Sequence, residues 1–154
     1  MSVSADQSYL QHLSRASTPT LFDEPLLTRI HELLAMSADT AAWWTALAHR
    51  IDDLADALWE HRTAMESPTG LFQDVLEDAP RLTFTVRSLE RDLQELTAEV
   101  AQLRLLVSAS MARHGGVPRA IESASETMAH LRAHHSRVHT LLYEAYTVDL
   151  GDSG

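Results

Sequence analysis

Four histidines lie close together in the segment HLRAHHSRVH, residues 130 to 139. They are His130, His134, His135 and His139. The pairs His130/His134 and His135/His139 have the i, i+4 spacing that lets two imidazoles on one helix share a metal ion. Imidazole also titrates near physiological pH. The segment therefore fits a metal site, a pH-sensitive patch, or a helix face that is simply rich in histidine.

Helical geometry separates these four side chains. At 100° per residue, His134 falls inside the apolar arc of its helix and His135 falls at the edge of that arc. His130 and His139 fall on opposite outer flanks. We therefore expect a metal to use at most two of them easily. The alternative interpretation is one histidine that lines the core and three that lie at the surface.

A further histidine, His61, occupies an apolar position of an earlier predicted helix. Both of its ring nitrogens need partners in a mostly apolar interior. His61 therefore binds a metal, pairs with a carboxylate, or marks a wetter end of the fold. If the helices form symmetric hairpins with a rise of about 1.5 Å per residue, His61 and His134 lie roughly 15 Å apart, and a shift of one turn per connection halves that distance. In that arrangement His31 is nearer to His134 than His61 is.

The elements that carry these residues are predicted to be helical. Amphipathic periodicity covers about residues 25–37, 40–66, 80–113 and 118–148. The segment SADT supplies caps before the second helix, and Gly115 and Gly116 suit a left-handed end to the third. Short connections between the last three helices favour an all-α, up-down four-helix bundle. Because the seams exceed three heptads, a coiled-coil hairpin or dimer is the alternative.

The same pattern predicts how the chain is organised. Residues 1–24 form an irregular or short-helical N-terminal segment, residues 25–149 form the helical bundle domain, and residues 150–154 form a tail. The segment LFQDVLEDA is a short helical or looped connection. The third helix has an entirely apolar seam, with Glu90, Glu95 and Glu99 beside it.

Composition excludes several classes of function. The net charge of −10 argues against nucleic acid as a partner, since nucleic-acid binding needs a basic surface. The chain has no cysteine, which leaves His, Asp and Glu as its strong metal ligands. No apolar run approaches the ~20 residues that span a bilayer, and the first residues lack the pattern of a signal peptide. We therefore expect a soluble cytoplasmic protein with no membrane partner.

Motifs for enzymatic chemistry are sparse. The serines form no arrangement with His and Asp that the sequence supports, and there is neither a phosphate-binding glycine loop nor an HExxH motif. We expect that the protein is not an enzyme. The remaining enzymatic hypothesis is acid–base catalysis in the environment of His61 or His134.

Three segments resemble the hemerythrin-like (HHE) four-helix bundles. They are LADALWEHRTAMESPTGLFQDVLEDAPRL, LERDLQEL and HLRAHHSRVHTLLYEAY, and the resemblance covers about residues 26 to 148. In that superfamily, histidines and carboxylates from four helices hold two non-haem irons, which bind or sense oxygen or handle peroxide. The resemblance implies metal ligation by five candidates, with one or the other of the last two supplying the fourth-helix histidine: His31, His61, Glu66, His134 and His135.

The third predicted helix departs from the family pattern. Its segment LERDL carries Glu90 and Arg91 where the family has histidine, and an arginine cannot ligate iron. Glu66 also comes one residue later than the family spacing. We therefore expect an altered site that binds a single metal, with non-haem iron as the expected ion, or none. The competing hypothesis is a metal-free acidic interaction module that binds a protein partner or forms a homodimer.

Overall fold

The structure, a computed structural model, describes residues 24–148, and it describes the side chains of residues 25–147. The predicted tail, and the predicted N-terminal segment apart from residue 24, lie outside the described residues. The fold is an all-α four-helix bundle, as the periodicity predicts. Within the described range, no helix is both long enough and apolar enough to cross a membrane. The helices are α1 (Glu24–Ala35), α2 (Ala41–Glu66), α3 (Leu71–Asp78), α4 (Thr83–Arg113) and α5 (Val117–Tyr143), with a 3₁₀ turn at Pro80–Leu82 and a π-helical turn at Glu144–Val148.

The described chain divides into two compact units. The unit that we call the α1 unit comprises residues 24–59 and 94–132. The α3 unit comprises residues 60–93 and 133–148. The three long helices α2, α4 and α5 contribute residues to both units. Each unit therefore contains four helical segments, of which one is the short helix that names it.

The α1 unit is held by apolar side chains and by caps at the start of α2. Thr40 accepts a hydrogen bond at its Oγ1 from the backbone N–H of Trp43, which confirms the predicted cap. The indole N–H of Trp43 donates to the carbonyl oxygen of Leu33, and that of Trp44 donates to Asp39. These bonds join the end of α1 to the start of α2. The core of this unit includes Leu27, Ile30, Leu47, Ile51, Leu54, Leu96, Leu103, Ala124 and Leu131.

The α3 unit depends on a tight turn between α2 and α3. A Cβ atom on Gly70 would lie 2.2 Å from the carbonyl oxygen of Ala64, so only glycine allows this approach. The segment LFQDVLEDA is helical, and it buries Leu71, Phe72 and Val75. The rest of the core of this unit includes Val86, Leu89, Leu93, Val138, Leu141 and Leu142.

Helices α4 and α5 are antiparallel in both units. In the α3 unit, Arg137 donates to Ser88, and Arg81 donates to the carbonyl oxygen of Glu144. In the α1 unit, Thr127 donates to Glu99. The turn between the helices differs from its prediction, because the residues with positive φ are His114 and Gly116 rather than the two glycines.

Candidate functional site

Two buried histidines meet in the α3 unit. His61 on α2 is 5% exposed and His134 on α5 is 0% exposed. Their ring centroids lie 5.8 Å apart with an angle of 84° between the ring planes. Both Nε2 atoms are shielded from solvent. The expected separation of roughly 15 Å from symmetric hairpins is therefore wrong, because residues 71–78 form a helix of their own within the connection.

Asp92 on α4 orients the ring of His134. Its Oδ2 lies 2.6 Å from Nδ1 of His134, and Asp92 is 8% exposed. Arg137 approaches the same carboxylate oxygen at 3.5 Å while it donates to Ser88. A neutral His134 that donates its Nδ1 hydrogen to the carboxylate keeps a lone pair on Nε2. This is the arrangement in which a carboxylate positions a metal-binding histidine.

His61 stays neutral over a wide pH range. Burial lowers its pKa to about 3, with further contributions from the positive charges that His134 and His135 carry when protonated. A neutral imidazole is the form that binds a metal. Protons therefore do not compete for the ring of His61 near neutral pH.

The structure places the other predicted ligands in different surroundings. His135 is half-buried in the α3 unit, and its Nε2 lies 3.1 Å from Nε2 of the exposed His139. Glu66 forms an ion pair with Arg62 at 3.0 Å near the end of α2. His31 belongs to the α1 unit, where the guanidinium of Arg132 contacts its Nε2.

Sequence reasoning did not select Asp92. It selected Glu90, Glu95 and Glu99 as the carboxylates beside the seam of this helix. Asp92 precedes the buried Leu93 and follows Leu89 by three residues, so it lies on the shoulder of the seam. This shoulder position is the feature of the sequence that could have indicated Asp92 as a site residue. It does not distinguish a buried carboxylate from an exposed one.

A second carboxylate–histidine pair lies in the α1 unit. Oε2 of Glu99 lies 2.6 Å from Nδ1 of His130, and Oε1 of Glu99 accepts a hydrogen bond from Thr127. Both side chains of the pair are about a quarter to a third exposed. His130, which was predicted to lie on an outer flank of its helix, is therefore half-buried and paired with a carboxylate.

The centroids of the two buried rings lie no farther apart than one shared ion would allow. Two imidazoles bound to one ion at about 2.1 Å have ring centroids at most about 6.4 Å apart. The observed 5.8 Å lies within that limit. The carboxylate behind His134 is already used in orienting the ring. The buried cluster offers two imidazoles and one carboxylate, which are fewer ligands than the two-iron set of the hemerythrin-like bundles has.

These features define the class of protein as an all-α bundle with a buried Asp–His–His cluster. Comparisons of the chain with family models, with curated proteins and with solved structures found no match. The hemerythrin-like resemblance therefore stays a prediction that rests on the residues of the sequence.

Proposed function

We propose that the protein is a hemerythrin-like bundle that binds a single transition-metal ion on His61 and His134. The observation that carries the proposal is the contact between these two buried imidazoles, with Asp92 behind one of them. A second support is the lowered pKa of His61, about 3, which leaves that ring unprotonated. Buried histidine ligands with a carboxylate behind them are typical of metal sites in proteins.

The division of roles follows from the geometry. Asp92 holds His134 in the tautomer that presents Nε2, and Arg137 neutralises part of the charge of that carboxylate. The apolar surroundings exclude water from both Nε2 atoms and strengthen electrostatic interactions there. Iron held by two imidazoles keeps open coordination positions, which suits the oxygen binding or sensing that the resemblance implies.

The test is a metal analysis of the protein purified without a histidine tag. We expect about one metal ion per chain after iron loading in air, and a loss of that ion in His61→Ala and in His134→Ala. His49→Ala is the matched control, because His49 is exposed on the same helix as His61. Circular dichroism checks that each variant stays helical.

Two results would overturn this proposal. Two irons per chain with oxo-bridge absorption would restore the two-iron site of the resemblance. No metal retained by the wild type under any loading condition would remove the metal function altogether.

A groove in the α1 unit favours a second candidate function, a homodimeric interaction module. Two cavities of about 500 and about 270 Å³ lie between α2 and α4. They share Ala101 and Arg104, so they form one continuous groove. Trp59 and Leu105 line it and are 68% and 71% exposed. Large exposed apolar side chains beside a groove are typical of protein interaction surfaces.

The charges in the groove favour a second copy of the chain as its occupant. Arg104 forms an ion pair with Asp52 across the groove, at 2.9 Å, and Asp56 also lines it. A two-fold interface places the same patch on both partners, so the arginine of one copy can face a carboxylate of the other. Light scattering tests this idea: Trp59→Ala should convert a dimer to a monomer, whereas Phe84→Ala, an exposed residue of the α3 unit, should not. A monomeric wild type would exclude it.

A further inference from the structure

The imidazoles of His135 and His139 form a preorganised pair on α5. Their Nε2 atoms lie 3.1 Å apart, their ring centroids lie 4.5 Å apart, and their ring planes meet at 66°. The two residues are one helical turn apart. His139 is exposed and His135 is half-buried, so the pair is open to solvent on one side.

The spacing of the two nitrogens matches the bite of a chelate. With metal–nitrogen bonds of about 2.0–2.1 Å, two nitrogens 3.1 Å apart subtend about 95–100° at the ion. That angle lies between the octahedral and the tetrahedral values. The two histidines of a helical HExxH motif, which bind zinc, have the same i, i+4 spacing on one helix face.

We propose that His135 and His139 chelate an exchangeable divalent transition-metal ion, of the class of Ni²⁺, Cu²⁺ or Zn²⁺, at the surface of the α3 unit. Imidazole suits these borderline ions, and water fills their remaining positions. This site is distinct from the His61–His134 pair and does not depend on the proposed function.

The backbone beneath the pair is fixed, which favours binding. Val138, Leu141 and Leu142 are buried on the same stretch of α5, and Thr140 donates to the carbonyl oxygen of Ser136. Little conformational entropy is therefore lost when an ion binds. An ion that binds only the folded helix also raises the stability of the protein by mass action.

Calorimetric titration with Ni²⁺ tests the proposal, with the tag removed. We expect the wild type to bind one Ni²⁺ per chain that the double variant His135→Ala/His139→Ala does not bind. Each single variant should bind at least about tenfold more weakly, because the second imidazole acts at a high effective concentration. His114→Ala, which removes an exposed histidine of the α1 unit, should bind as the wild type does. The thermal midpoint should rise with Ni²⁺ in the wild type and in the control only.

The double variant His61→Ala/His134→Ala separates this site from the buried one. Unchanged binding of that Ni²⁺ in this variant supports a surface chelate, whether or not the buried pair binds a metal. If His61→Ala/His134→Ala does not bind the Ni²⁺ but His139→Ala still does, the buried pair is the Ni²⁺ site and the surface proposal is wrong. Equal binding by the wild type and by the His135/His139 double variant would also overturn it.

Discussion

Asp92 on α4 and His134 on α5 form a hydrogen bond of 2.6 Å inside the α3 unit, where both side chains are buried. A buried carboxylate is costly unless it is paired, and here an imidazole and Arg137 both approach it. The same bond occupies Nδ1 of His134 and leaves Nε2 as the nitrogen that is buried without contact to solvent. The pair therefore links the stability of the unit to the chemistry that its histidines can perform.

Replacing the carboxylate by its amide tests the orienting role of Asp92. Asp92→Asn should weaken metal binding by about 10- to 100-fold, because the amide no longer fixes the tautomer of His134 as strongly. Asp53→Asn is the control, since Asp53 is an exposed partner of Arg50 on α2. Metal competition titrations measure both. Equal affinities in the two variants would show that Asp92 does not act through His134.

His61 should make the stability of the protein depend on pH. Its pKa is lowered to about 3 in the folded state, below the ordinary histidine value of 6.5, so the unfolded chain takes up a proton first as the pH falls. The contribution of neutral His61 is present in full above pH 6.5 and is lost progressively towards pH 3. The expected slope in that window is roughly 1 kcal/mol per pH unit.

Urea unfolding of the metal-free protein at pH 7, 6, 5 and 4 measures this slope. His61→Gln should have a flatter pH dependence than the wild type, whereas His114→Gln should follow the wild type. Carboxylates also titrate in this range, which is why the difference between variants is the informative quantity. Parallel curves for the wild type and His61→Gln would contradict the prediction.

The turn between α2 and α3 should depend on glycine at position 70. Gly70→Ala places a Cβ atom 2.2 Å from the carbonyl oxygen of Ala64 and 2.8 Å from that of Met65, so the backbone must shift. We expect a loss of more than about 1 kcal/mol in the free energy of unfolding. Gly115→Ala is the matched control, because its Cβ would meet nothing within 4 Å. Similar losses in both variants would indicate that the turn adapts.

The core of α4 should be far more sensitive than its exposed face. Leu93→Ala removes a side chain that is 0% exposed and should cost about 2–5 kcal/mol. Phe84→Ala removes a side chain that is 78% exposed on the same helix and should change stability by less than about 0.5 kcal/mol. Denaturant unfolding of the two variants checks this difference. A large loss in Phe84→Ala would reveal a contact that this exposed ring makes in solution.

The periodicity of the sequence predicts the helices and the buried faces well. The apolar seam of the third predicted helix is buried. Its first residue, Leu82, lies in the 3₁₀ turn, and the others lie in α4: Val86, Leu89, Leu93, Leu96, Val100, Leu103 and Val107. The two seam histidines, His61 and His134, are buried as well, and His135 lies at the edge of the core as its helical phase predicts. Such predictions depend only on the geometry of one helix, which repeats every 3.6 residues.

Contacts between helices required the tertiary structure. The symmetric-hairpin estimate separated His61 from His134, whereas the two rings contact each other and Asp92 lies beside His134. The sequence by itself determined which residues face the interior, because that depends on spacing along one helix. Only the tertiary structure decided which of them meet, because the level of one helix against another depends on how the connections fold, and α3 and the turn at Gly70 alter that level.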